Sequence, residues 1–111
     1  MLETQIKSGR VTKEMTFNQK VWAMTARIPK GQITTYAEIA RALKTKGYRA
    51  VGNALNKNPY APDVPCHRVV GSTGALTGFA GGLAKKQSLL LSEGVKLHSN
   101  GRADVSTVFR P

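Results

Sequence analysis

Apolar residues recur at helical spacing in four stretches of the chain, and turn formers fill the gaps between them. Phe17, Val21, Met24, Thr25 and Ile28 share one face, which predicts a helix over 16–27. Pro29-Lys30-Gly31 stops it. Tyr36, Ile39, Ala40 and Leu43 form the stripe of a second helix that begins at Tyr36. Thr35 is its N-cap, and Glu38 completes a capping box. Beyond Lys44-Thr45-Lys46-Gly47 a third helix is predicted from Tyr48 to Asn56, with Ala50, Val51, Ala54 and Leu55 inward or close-packed. Two short helices joined by a turn with glycine have the form of a helix-turn-helix.

Asn58 to Pro65 holds three prolines and reads as a rigid connection that delivers Cys66. Arg68-Val69-Val70 predicts a short strand, closed by the turn Gly71-Ser72-Thr73-Gly74. A glycine-rich loop, Gly78 to Gly82, precedes a last helix from Leu83 to Glu93. Leu83, Leu89 and Leu90 are its inward set, and Gly94 is its C-cap. Residues 1–14 are expected as a flexible basic arm or a short strand, and 96–111 as a mobile polar tail. The domain lies between them, over 15–95. Its fold class is mainly α with a small β element, a winged-helix-like domain containing a helix-turn-helix.

The chain has 111 residues, 41% of them hydrophobic, enough for one domain with a real core. A lone cysteine forms no internal bridge and fits a reducing compartment, so a cytoplasmic protein is expected. No apolar run approaches the roughly 20 residues that span a bilayer. The net charge of +11 changes the picture more. From Met15 to Pro62 the one acid is Glu38, against Lys20, Arg27, Lys30, Arg41, Lys44, Lys46, Arg49 and Lys57. Such a surface attracts polyanions, nucleic acid above all.

Cys66 and His67 are adjacent in Pro65-Cys66-His67-Arg68-Val69. A thiol with a solution pKa of about 8.5 becomes a nucleophile where an imidazole and positive potential favour the thiolate. Successive side chains of an extended chain point to opposite faces, so the pair needs a turn or a bridging water. A third group should fix the imidazole, and the nearest acids are Asp63 and Glu93. Glu93 opposes the helix dipole where it stands, which hints at a partner, and an imidazole would serve. One cysteine with His67 and His98 gives no metal-ligand spacing. Neither glycine-rich turn matches a phosphate loop or a dinucleotide fingerprint, so no cofactor is expected. In the third helix Ala50, Gly52 and Ala54 are small and Asn53 is polar. Such a helix suits a minor groove or a tight helix pair, with Arg49 placed to fill the gap left by an extruded base. The alternatives are a buried structural thiol at Cys66, a surface acid at Glu93 and a packing helix with Arg49 in solvent.

Taken together, these segments closely resemble the O6-alkylguanine-DNA alkyltransferase family. The resemblance rests on Pro65-Cys66-His67-Arg68-Val69, Thr35-Tyr36-Ala37-Glu38-Ile39-Ala40, Arg49-Ala50-Val51-Gly52, Asn58-Pro59, Gly81-Gly82-Leu83 and Glu93-Gly94. It runs from about Phe17 to Val95. It implies a protein that binds duplex DNA containing O6-alkylguanine through the minor groove and flips the damaged base into a pocket. Cys66 would accept the alkyl group irreversibly, once per molecule. His67 would remove the thiol proton through water, Glu93 would orient His67, and Asn58 would support the active-site turn. Tyr36 would rotate the nucleotide and donate a proton toward N3, and Arg49 would take the vacated place in the stack. Ala50, Gly52, Asn53 and Arg68 complete the implied DNA contacts. Val69, Phe79, Ala80 and Gly81 would wall the substrate pocket, with carbonyls at Cys66 and Val69 reading the guanine amino group. No metal, no cofactor and no membrane partner are implied, and a monomer is expected.

Phe79 and Ala80 stand where many members have tyrosine and serine, and a protein without the N-terminal domain that many members carry is expected. Alkyltransferase-like proteins, which bind the same lesion without transfer, are the nearest alternative. They commonly replace the acceptor cysteine with tryptophan, and Cys66 argues against that role. A plain helix-turn-helix regulator and a cysteine hydrolase are the alternatives from other classes.

Overall fold

The computed structural model describes residues 2–76 and 82–111. Helix α1 spans Leu2–Lys7 and α2 spans Phe17–Ala26. Strand β1, Thr34–Thr35, runs directly into α3, Tyr36–Ala42, and α4 follows at Tyr48–Asn56. A 3₁₀ turn at Cys66–Arg68 leads into β2, Val69–Val70, and α5 covers Leu83–Ser92. The strands pair in parallel, Thr34 with Val69 and Thr35 with Val70. The domain is mainly helical with a small sheet, and α3 and α4 form the helix-turn-helix.

The principal core follows from the predicted stripes. Val21, Met24 and Ile28 meet Ile39, Ala40, Val51, Ala54, Leu55 and Val69. Lys44 takes a left-handed conformation, φ 58°, which turns the chain out of α3 and toward α4. Thr35 caps α3 by accepting the Glu38 amide at 3.1 Å, but only that half of the expected box forms. The Glu38 carboxylate faces Arg41 and Arg110 instead, at 3.4 and 3.9 Å. The reciprocal box lies one helix earlier. The Thr16 side chain accepts the Gln19 amide, and Gln19 Oε1 accepts the Thr16 amide.

Four further expectations are corrected. The N-terminal segment is neither an arm nor a strand. It is helical, and Ile6 is wholly buried with Met15, Ala23 and Val64. The polar tail folds back, because Ala103 joins Ile33, Val70, Leu90 and Val95 in a second core. Phe109 donates its amide to the Ile33 carbonyl at 2.8 Å, and its own carbonyl accepts the Thr34 hydroxyl. On α5, Leu83 is 53% exposed and Leu90 is buried, while the inward position one turn before Leu90 is held by Lys86. In α4, Ala50 faces outward, and Val51, Ala54 and Leu55 face inward.

Candidate active site and nucleic-acid interface

Cys66 sits at the start of the 3₁₀ turn, half-buried against the principal core. The proline loop sets the turn up through short bonds. Asn58 Nδ2 donates to the Val64 carbonyl at 2.8 Å, and its Oδ1 accepts the Tyr60 amide at 2.9 Å. The Cys66 amide then donates to that same Val64 carbonyl at 2.9 Å. Trp22 stacks edge-on against Tyr60, 5.9 Å between centroids, so α2 braces the loop from outside. Asp63 pairs with Lys7 of α1 at 3.1 Å and takes no part with the histidine.

His67 is buried, and its Nε2 lies 3.0 Å from Glu93 Oε2. Burial lowers its pKa, against the raising effect of the Glu93 hydrogen bond. It is therefore a neutral imidazole that donates Nε2–H to the carboxylate and keeps a lone pair on Nδ1. Glu93 caps the C-terminus of α5. Its carboxyl is held down at about 2, first by hydrogen bonding from Arg68 and then, against the cost of burial, by His67.

Arg68 departs from the expectation of a DNA contact. Its Nε and Nη2 donate to the two oxygens of Glu93 at 2.9 and 2.7 Å, and Nη1 donates to the Ile28 carbonyl at 2.8 Å. Its side chain is 15% exposed, with the guanidinium turned into the protein. The turn brings Cys66, His67 and Arg68 together, and α5 supplies Glu93 from 25 residues away from Arg68. Val69 is wholly buried and contributes its carbonyl, which accepts from Lys86 Nζ at 2.7 Å. Phe79, Ala80 and Gly81, expected as pocket wall, lie outside the described residues.

Lys86 is the functional candidate that the sequence reading missed. It is buried, and its Nζ lies 5.9 Å from the centroid of the Tyr36 ring. No local signal marks it, since lysine on an amphipathic helix is ordinarily a surface residue.

On the outer side of the helix-turn-helix, Arg49, Ala50 and Asn53 of α4 are exposed. Gly52 lies behind them, and a Cβ built there would be 4.0 Å from the Tyr36 ring. At the turn, Arg41, Lys44, Lys46 and Tyr48 line an open pocket of about 340 Å³. Positive charge therefore gathers at the turn before α4.

Comparison with known proteins identifies the family. The family described as "6-O-methylguanine DNA methyltransferase, DNA binding domain" matches residues 16–95. A methylated-DNA--protein-cysteine methyltransferase of Methanosarcina mazei is 51% identical over 78 residues, 69% of this chain and 49% of that protein. The chain thus spans about half the length of the curated relatives it matches. The crystal structure of Mycobacterium tuberculosis OGT in complex with DNA aligns with a TM-score of 0.70 at 37% identity, over 84% of this chain and 63% of that one. The structure of S. pombe Atl1 with damaged DNA containing O6-carboxymethylguanine aligns with a TM-score of 0.71 at 30% identity, over 91% of this chain and 99% of that one. With a match across this site and the helix-turn-helix, the chain belongs to the 6-O-methylguanine DNA methyltransferase family, through its DNA-binding domain.

Proposed function

We propose that this chain removes an alkyl group from O6 of guanine in duplex DNA and keeps it on Sγ of Cys66. The observation that carries the reading is the Arg68–Glu93–His67 chain of hydrogen bonds ending beside a half-buried thiol. Glu93 holds the imidazole with Nε2–H occupied, so Nδ1 is the base. The thiol proton passes through a water to Nδ1. The sulfur anion attacks the alkyl carbon in line, the C–S bond forms, and the C–O6 bond breaks with its electrons on the guanine. The Tyr36 hydroxyl directs a proton toward N3 and makes the base a better leaving group. The thioether has no route back to thiol, so each molecule acts once and needs no cofactor.

DNA enters along α4. Exposed Arg49, Ala50 and Asn53, with little side-chain bulk at Gly52, allow the helix backbone to approach a minor groove. Arg49 takes the place of the extruded guanine. Arg41, Lys44 and Lys46 draw in phosphates at the turn. Arg68, whose guanidinium is committed to Glu93, is left out of the DNA contacts.

The test uses DNA with an isotopically labelled methyl group on O6. Label should move to the protein and map to the Cys66 peptide, and Cys66→Ser should bind the same DNA without taking label. A second reading, lesion binding without transfer, draws on the likeness to S. pombe Atl1, nearly all of whose length is matched. Tight binding with no label on wild-type protein would establish that reading instead.

A further inference from the structure

The C-terminal segment brings a second arginine to the acid of the helix-turn-helix. Phe109 is tied to β1 through its backbone. Its amide donates to the Ile33 carbonyl at 2.8 Å, and its carbonyl accepts from the Thr34 hydroxyl at 2.6 Å. Phe109 also packs against the principal core. Thr34 leads directly into Thr35, the N-cap of α3, so these bonds hold the next residue, Arg110, beside the first turn of that helix. There Arg110 Nε lies 3.9 Å from Glu38 Oε1, and Arg41 Nη1 lies 3.4 Å from Glu38 Oε2. A carboxylate that is 11% exposed is thus shared by two guanidiniums whose side chains are 74% and 69% exposed. Arg41 also lines the open pocket at the turn with Lys44 and Lys46. Arg110 therefore extends that cationic surface along α3.

We infer that Arg110 is a DNA-binding residue, which together with Arg41 takes a backbone phosphate of the duplex beside α3. The inference rests on the reading of the helix-turn-helix as the DNA-binding face, and it adds a contact from the far end of the chain. Ion pairs of such length between exposed groups contribute little to stability. They restrict where the two guanidiniums stand and leave their charge in excess of the one carboxylate they share. A guanidinium has five N–H donors in a fixed fork that matches phosphate oxygens. With side chains this exposed, most of those donors face outward. An arginine placed only to fasten the tail would be redundant, because Phe109 already makes the backbone bonds to β1.

The test compares wild-type protein, Arg110→Lys and Arg110→Gln. Binding is followed by fluorescence anisotropy over a salt series, with an undamaged duplex and with the same duplex carrying O6-methylguanine. Circular dichroism checks that each variant is folded, as substitution of so exposed a side chain should allow. Arg110→Gln should reduce the slope of log affinity against log salt by about one. It should weaken binding to both duplexes alike, by roughly fivefold at 0.1 M salt. Arg110→Lys, which keeps the charge, should retain the wild-type slope. A folded Arg110→Gln with the wild-type slope and affinity would overturn the inference and leave the DNA-binding reading intact. A loss confined to the damaged duplex would also overturn it, because a phosphate contact does not distinguish the two. Wild-type protein that binds neither duplex would remove the reading of the helix-turn-helix and the inference with it.

Discussion

Arg68 grips Glu93 at two points, Nε to Oε1 at 2.9 Å and Nη2 to Oε2 at 2.7 Å. The fork fixes the plane of the carboxylate, and Oε2 is thereby aimed at His67. Arg68→Ala leaves a largely buried carboxylate without its main partner. It should lower unfolding free energy by about 3 kcal/mol, read from denaturant titration. The folded variant should keep its DNA affinity and its salt dependence. A salt slope reduced by about one would return Arg68 to the phosphate contacts.

Acid should weaken the fold through two residues with the same sign. The Glu93 pKa lies well below its ordinary 4.5, at about 2, so its contribution is full above 4.5 and is lost as pH falls toward 2. The His67 pKa lies below its ordinary 6.5, so the unfolded chain takes up that proton first and stability begins to fall below about 6.5. Unfolding free energy measured against pH should therefore decline in both ranges. Glu93→Gln should abolish the steep loss below 4.5. An unchanged acid limb in that variant would show that Glu93 is not paired as described.

Gly52 offers a separation of fold from function. Its φ is unexceptional, and an added Cβ would meet the Tyr36 ring at ordinary van der Waals distance. Gly52→Ala should be neutral or stabilising, by up to about 1 kcal/mol from helix propensity. Its affinity for duplex DNA should nevertheless fall, because the methyl group fills the space between α4 and the Tyr36 ring. Equal affinity would place the DNA elsewhere.

Arg49 is exposed at the start of α4 and makes no ion pair among the described residues. Arg49→Ala should slow transfer from duplex DNA far more than from a free O6-alkylguanine base, since the free base needs no extrusion. Equal slowing on both substrates would count against a role in the stack.

Much of the architecture is legible where periodicity and turn chemistry agree. Tyr48–Asn56 forms as expected because Val51, Ala54 and Leu55 define one face and Gly47 precedes it. Thr35 caps α3 for the same local reason. The His67–Glu93 contact is legible from the misplaced acid at a helix C-terminus, but its Arg68 partner is not. An arginine beside a histidine in a basic chain reads as one more DNA contact until the fold brings α5 against the turn. Helix α1 is missed because six residues with one buried apolar side chain, Ile6, carry no period. The tail is missed because Ala103 and Phe109 are sparse among polar residues, and their burial depends on Ile33 and Thr34 far away in sequence. Lys86 is missed because hydropathy places lysine outside, whereas the Val69 carbonyl and the Tyr36 ring receive it inside.

The central claim is a permanent bond between the Cys66 sulfur and an alkyl carbon. The most direct measurement is the intact mass of the protein after incubation with a duplex carrying O6-methylguanine in large excess. The account predicts a gain of one methyl group per molecule, confined to Cys66 and never exceeded with time, with the guanine restored. An unchanged mass alongside demonstrable binding of the damaged duplex would contradict it.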